Sequence, residues 1–321
     1  MKIPTLLFKK SILSILLFSS LSAMAQEDLE KSLQMSPTRD KVSATFKSTR
    51  LINGHTNETI HKNELDFKVD HRFGDIAGSN GGIRQFFGLD NSTDVRIGFE
   101  YGLSDRLSIG LARSKGATAV QQLYEGSIKF RLLEQSSDDR IPFALTLFGS
   151  NTITAVKANT EDPASATAYE NFQDRMNYVS QLIIARKFNS SFSFLISPTY
   201  VHRNFTAFRD QNSMFAVAAG GRAKLSKRMA LVVDYFLPFR NKADRDYLEQ
   251  VGNTKFYNPL GLGLEMETGG HVFHLNFTNA TAIQEMQFIP QTTSSWLKGQ
   301  YRWGFSISRR FSFNKEKHEK S

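Results

Sequence analysis

The sequence predicts an all-β protein, a single antiparallel transmembrane β-barrel of about 12 strands behind a cleaved signal peptide. Three observations carry that expectation. Apolar and polar residues alternate with a period of two through a series of segments roughly ten residues long, the length of a tilted strand that crosses a bilayer. The N-terminus has the layout of a secretory leader. Cysteine is absent from all 321 residues, which excludes disulfides, c-type haem attachment and zinc–thiolate sites.

The leader comes first in the chain. Lys2, Lys9 and Lys10 precede an apolar run from Ile12 to Leu21 and the small-residue pattern Ala23-Met24-Ala25, which places cleavage before Gln26. That run is too short to span a bilayer as a helix, and no later stretch is longer. The chain then divides into a signal peptide at 1–25, a periplasmic N-terminal segment at 26–62 with an extra extended piece at 42–53, the barrel at 63–313 and a polar tail at 314–321. The formal charge is +9, and loss of the three leader lysines leaves +6. Those charges are spread along the chain, whereas a nucleic-acid surface needs clustered Lys and Arg.

The strands follow in order. In "KNELDFKVDHRFG", Leu65, Phe67, Val69 and Phe73 share one face, while Asp66, Lys68, Asp70 and Arg72 share the other, with Glu64 before them. Val95, Ile97, Phe99 and Tyr101 alternate with residues that include Arg96 and Glu100. Leu107, Ile109 and Leu111 form the next oily face; Tyr124, Ile128 and Phe130 alternate with Glu125, Lys129 and Arg131. Phe143, Leu145 and Leu147 come next, and then 174–188, where both faces are mixed. Phe192 to Tyr200 alternates up to Arg203; Phe215 and Val217 lie opposite small residues and Arg222; Met229 to Phe239 lies opposite Asp234. Leu260 to Met266 lies opposite Glu265 and Glu267, and Phe273 to Phe277 opposite His274. Tyr301 to Phe313 lies opposite Arg302 and Arg310.

A soluble barrel turns its apolar faces inward, and a membrane barrel turns them toward lipid. These apolar faces are rich in Phe, Leu and Tyr, with aromatics near the segment ends, where interfacial girdles belong. The charged residues named above are therefore expected in the lumen, and pairing of the 63–73 set across it with Arg302, Arg310, Glu265 and Glu267 is expected. Tight connections at Ser104-Asp105, Asn189-Ser190, Ser226 and Gly269-Gly270 alternate with long ones near 74–93, 153–173, 241–257 and 281–298; the exceptions are 116–118, short on the outer side, and 134–140, longer than the other periplasmic turns. Short turns belong in the periplasm, which puts both barrel termini there. An even strand count then requires 63–73 to pair with 300–313, leaving 42–53 in the lumen or at the periplasmic rim.

Catalytic motifs are missing: there is no HExxH helix, GxSxG elbow or P-loop lysine. His271 and His274 fall on opposite faces of a strand, one interfacial and one lumenal. Asp75, Asp90 and Asp94 have no Ca²⁺-loop spacing. His71 and His202 are the strand histidines nearest apolar faces, but no nucleophile–base pair can be placed from sequence. The expectation is a non-enzyme without cofactor or metal.

Two stretches resemble a known family. "ATFKSTRLINGHTNETIHKNELDFKVDHRFGDI", 44–76, followed by "DVRIGFEYGLSDRLSIGLARSKG", 94–116, looks like the opening of an uncharacterised Gram-negative β-barrel family, catalogued as a domain of unknown function. The resemblance covers nearly all of the mature chain. It implies a barrel fold and an outer-membrane location, and it brings no site residues. The expected function is a passive pore or small-solute transport barrel in contact with outer-membrane lipid. The alternatives are a non-conducting structural or adhesion barrel acting through its outer loops, and a soluble secreted ligand-binding β-barrel.

Overall fold

The computed structural model describes residues 41–313 apart from residue 43. The leader and the polar tail lie outside the described residues. Twelve strands form one closed antiparallel barrel: β1 (Glu64–Asp75), β2 (Ser92–Ser104), β3 (Leu107–Ser114), β4 (Leu123–Leu133), β5 (Ala144–Thr154), β6 (Met176–Lys187), β7 (Phe192–Arg203), β8 (Ser213–Lys224), β9 (Met229–Phe239), β10 (Leu260–Thr268), β11 (His271–Thr278) and β12 (Arg302–Ser312). Each strand pairs with its neighbours in sequence, and β1 closes the ring on β12 with Val69 opposite Ile307. Closure removes the unpaired sheet edges that lipid does not tolerate. Among the described residues two short α-helices interrupt the long connections, α1 (Lys242–Gln250) and α2 (Glu285–Gln291), with 3₁₀ turns at Ile83–Gly88, Phe172–Arg175 and Trp296–Lys298. No helix among the described residues is long and apolar enough to cross a membrane.

The outer surface is apolar. Along β9, Leu231 is 51% exposed and its neighbour Val232 is 3% exposed. The same alternation exposes Phe99, Leu111, Ile128, Leu147, Phe215 and Leu262 on other strands. An outer wall of this composition in water would be an aggregation site, so its natural surroundings are hydrocarbon.

The lumen is full. Residues 44–60 run inside the ring, and the segment following β11 folds back into it from the long-loop end, carrying α2. The expected extended piece at 42–53 is folded on itself: Arg50 bridges His55, and the N–H of Leu51 reaches the carbonyl of Gly54 at 2.9 Å. The turn centres on Ile52-Asn53, and neither Asn53 nor Gly54 takes the positive φ of the usual Asn-Gly hairpin loop.

The inner wall has two characters. On β5–β9 it is largely apolar, with Phe148, Val179, Ile183, Leu195, Val201, Met214, Val232 and Phe236 packing against Leu51, Met286, Phe288 and Ile289 of the plug segments. Phe236 meets Phe288 edge-on, ring centroids 5.0 Å apart. This sector is why 174–188 shows no clean alternation: β6 presents apolar residues outward to the membrane and inward to the plug. The rest of the wall is charged.

Candidate functional site

The charged sector and the plug form one bonded interior. On β1, Asp66, Lys68, Asp70 and Arg72 are buried and point inward, while Glu64 stands at the short-turn rim 3.7 Å from Arg310. Lys68 donates to the hydroxyls of Ser48 (3.0 Å) and Thr49 (3.1 Å) of the plug. Arg72 donates to Asn53 Oδ1 at 2.7 Å and to the carbonyls of Ala280 and Ala282. Arg96 on β2 holds Glu125 on β4 through two bonds of 3.1 and 3.2 Å and lies 3.4 Å from Asp70. Glu100 accepts the Thr49 hydroxyl at 3.1 Å. Lys129 donates to the backbone carbonyls of Thr49 and Glu58, and Arg131 pairs with the Glu58 side chain at 3.1 Å.

Around the ring, Arg203 pairs with Asp210 at 3.0 Å near the long-loop end. Arg222 and His274 share Glu265, at 2.8 and 3.2 Å. Glu267 pairs at the rim with Lys47 at 2.6 Å. Arg302 binds Asp75 and Thr281.

These partners correct the expectation of pairing across an open lumen. Asp70 pairs with Arg96 on the adjacent strand, and Arg302 and Arg310 with β1 residues beside them; Lys68, Arg72 and Lys129 bond the plug instead. The physical reason is occupancy. With the space filled, a wall charge meets the adjacent strand or the inserted segment before it meets the opposite wall.

Asp234 anchors the hairpin tip. One carboxylate oxygen accepts the N–H groups of Ile52 (3.1 Å), Asn53 (2.6 Å) and Gly54 (2.9 Å), and the other accepts the Asn53 side-chain amide (2.6 Å). The wall leaves room for that tip by lacking side chains. A Cβ on Gly261 would stand 2.7 Å from Ile52, Asn53 and Asp234, and one on Gly220 would stand 2.4 Å from Leu51.

The two plug segments meet at Arg50 and Glu285. Arg50 donates to Glu285 at 2.9 Å and to the carbonyls of Asn53 and Ile283. His55 lies 3.4 Å from the same carboxylate and stacks on Phe148 at 3.8 Å. Gln284 ties α2 to Glu125 at 2.6 Å, and Asp94 accepts the N–H groups of Ile283 and Gly116, both at 2.8 Å.

Sequence reasoning missed Arg50, His55, Asn53, Gln284 and Glu285. The Asn53-Gly54 dipeptide and the glycines on lumenal strand faces were the available signals, since glycine inside a strand marks close approach of another backbone.

The outward histidines also find partners that sequence did not supply. Ser92 Oγ lies 3.2 Å from His71 Nε2, and Ser213 Oγ lies 2.8 Å from His202 Nδ1. Each serine comes from the adjacent strand, and among the described residues no carboxylate contacts either imidazole. His71 also packs on Phe73 and Phe305. No group of three or more metal-binding side chains is found among the described residues.

A family model described as a membrane bound beta barrel domain (DUF5777) matches residues 46–311, so the match takes in the plug hairpin as well as the wall. No curated protein matches the chain. Among solved structures, the chain is similar to an outer membrane channel from Pseudomonas putida F1 at 10% identity, covering 79% of this chain and 98% of that chain with a TM-score of 0.48. It is similar to the KdgM porin at 7% identity, covering 77% and 99%, with a TM-score of 0.45. It is also similar to the Pseudomonas putida toluene transporter TodX at 9% identity, covering 86% and 98%, with a TM-score of 0.36. Scores in this range carry no argument about solute or mechanism.

Proposed function

We propose, for a chain that belongs to the membrane bound beta barrel domain family, a gated small-solute transport barrel of the Gram-negative outer membrane. It is non-enzymatic and closed at rest, with both barrel termini in the periplasm and outer-membrane lipid around its apolar wall. The leader at 1–25 belongs to this proposal, because export is required to reach that membrane.

The observation that carries it is the two-part plug. Two segments occupy the lumen, one from each end of the ring, and they meet at Arg50 and Glu285, 2.9 Å apart. Strand-to-strand bonds facing lipid have no water to replace them, so the wall stays shut to lateral opening. The plug's polar contacts are different in kind: water can substitute for each of them, and, most of them involving a charged group, each is worth about 1.5–3 kcal/mol net. Either segment can therefore withdraw without disturbing the ring.

The full lumen also favours a second reading, in which the plug never moves and the barrel is structural, acting through its outer loops. Planar-bilayer recording separates the two. The wild type is expected to be nearly silent, and Asp234→Ala, which frees the hairpin tip, is expected to open repeatedly. Silence from a variant whose hairpin is shown by labelling to be undocked sinks the gated reading and leaves the structural one.

A further inference from the structure

Above α2, at the long-loop end, lies a cavity of about 480 Å³. Its floor is Ile289 and Pro290 at the end of α2, and its apolar walls include Pro238, Phe239 and Phe256. Gln211, Arg240, Asn241 and Arg245 also line it, with Tyr257, Asn258 and Thr292 beside them, and no carboxylate does. Asn258 spends its NH₂ on the Tyr235 hydroxyl and Thr292 its O–H on the Phe288 carbonyl.

Hydrogen bonding fixes what the Gln211 and Asn241 amides present. Gln211 Oε1 accepts the N–H of Asn241 at 2.9 Å, and Asn241 Oδ1 accepts the N–H of Ala243 at 2.8 Å. A backbone N–H meets an amide side chain only through its oxygen, so both NH₂ ends remain as donors. Arg240 is already engaged: it pairs with Asp210 at 2.8 Å, bonds the Pro290 carbonyl and sits 3.8 Å from the centroid of the Phe256 ring. It holds that aromatic wall and the α2 floor in place. Arg245 on α1 is half-exposed, and its ion pair is with Asp246 of its own helix at 3.5 Å.

We infer that this cavity binds a small monocarboxylate with an apolar or aromatic body. The charged inventory is one-sided, guanidinium with no carboxylate; beside it stand the NH₂ donors of Gln211 and Asn241, and a carboxylate is the acceptor-only group that meets all three. The proline, phenylalanine and isoleucine surfaces cover the body, and the volume lies within the range of small-ligand pockets. Because the floor is the plug, an occupant touches the element proposed to move. The inference rests on the transport reading for its purpose and not for its affinity.

The test is titration calorimetry of the full chain in detergent, with benzoate as probe and benzamide as its uncharged isostere. Benzoate is expected to bind saturably, and benzamide about tenfold more weakly or worse, the scale of one charge-assisted hydrogen bond. Arg245→Gln is expected to weaken benzoate by a similar factor. Gln211→Glu keeps an oxygen for the Asn241 N–H, replaces a donor with an anion, and is expected to abolish binding. Equal affinity for benzoate and benzamide overturns the inference, as does wild-type affinity in the folded Arg245→Gln protein, which decides alone if Gln211→Glu misfolds. Liposome swelling in benzoate, read with the Asp234→Ala protein because the wild type rests closed, tests the transport proposal separately. Saturable binding without swelling keeps the site and sinks transport, whereas swelling without saturable binding sinks the site alone.

Discussion

Asp234→Ala is the most informative single perturbation of the plug. The carboxylate takes three backbone N–H groups of the hairpin tip and one side-chain amide, at 2.6–3.1 Å. Truncation strands those donors in a site closed by Gly261 and Ile52. A hydrogen bond to a charged acceptor is worth about 1.5–3 kcal/mol, but the four share two oxygens and are not additive. Loss of the carboxylate's own desolvation cost offsets part of the damage, and each neutral donor left buried without a partner costs about 1–3 kcal/mol. Taking about 4 kcal/mol, at about 1.4 kcal/mol per factor of ten, the docked hairpin loses about three orders of magnitude in its equilibrium.

Because the chain has no cysteine, Thr56→Cys gives a unique label site at a buried position of the hairpin. Maleimide labelling should follow the undocked fraction when docking is faster than reaction. The double variant should label about a thousandfold faster than Thr56→Cys alone at the low-rate limit, while the heat-dependent gel shift of the barrel stays the same. A labelling rate within threefold of the parent, with the barrel intact, would show that the tip is held by something other than Asp234.

Other outcomes follow from the same geometry. Leu231→Arg on the outward face of β9 should cost about 2–4 kcal/mol if the site lies near the bilayer midplane, read as folding stability in lipid vesicles; an unchanged value argues against lipid at that face. Gly220→Val should unseat the hairpin, since even a Cβ there falls 2.4 Å from Leu51, and Thr56→Cys labelling reports it; a protected cysteine would refute the close fit. Burial, reinforced by Arg50, Lys129, Arg96 and Lys68, holds His55 well below its ordinary value of 6.5. As pH falls through about 6.5, the undocked hairpin takes up a proton that the docked one refuses, so docking weakens by at most about 1.4 kcal/mol per pH unit. Burial raises Glu285 against the pull of Arg50, which works in the opposite sense on acidification, so the contrast between wild type and His55→Gln isolates the histidine. Identical pH slopes for the two proteins would exclude His55 as the titrating group.

The wall was legible because lipid and lumen impose opposite polarity on alternate residues, as with Leu65 to Phe73 on β1. Where that contrast is missing, so was the signal: Val179, Ile183 and Ala185 on β6 face a packed plug, and their segment reads as mixed. Lumenal placement of Asp66, Arg96 or Glu125 follows from parity alone, but their partners do not. Arg50 and Glu285 stand 235 positions apart, and nothing local to either announces the other. The 281–298 stretch has the polarity of an outer loop and still folds inward, because the cavity that receives Phe288 is built by β6, β7 and β9. The Ser–His contacts on the outside were hidden for the same reason, each joining two strands.

The order of the chain gives the filled lumen a consequence for assembly. The hairpin precedes β1, so it is made before any of the wall that surrounds it. Its anchors lie on β1, β2, β4, β5, β9 and β11, and Arg72 and Asp234 reach its tip from β1 and β9. An empty ring would have to gather Lys68, Arg96, Glu125 and Asp234 around water and then admit a folded insert through a narrow mouth. Wrapping the strands about a segment already present avoids both steps, with each new strand gaining an acceptor or a methyl surface as it arrives. On that route the hairpin serves as a mandrel, and the β1–β12 seam is the last contact because it joins the strand that follows the mandrel to the strand that completes the coat.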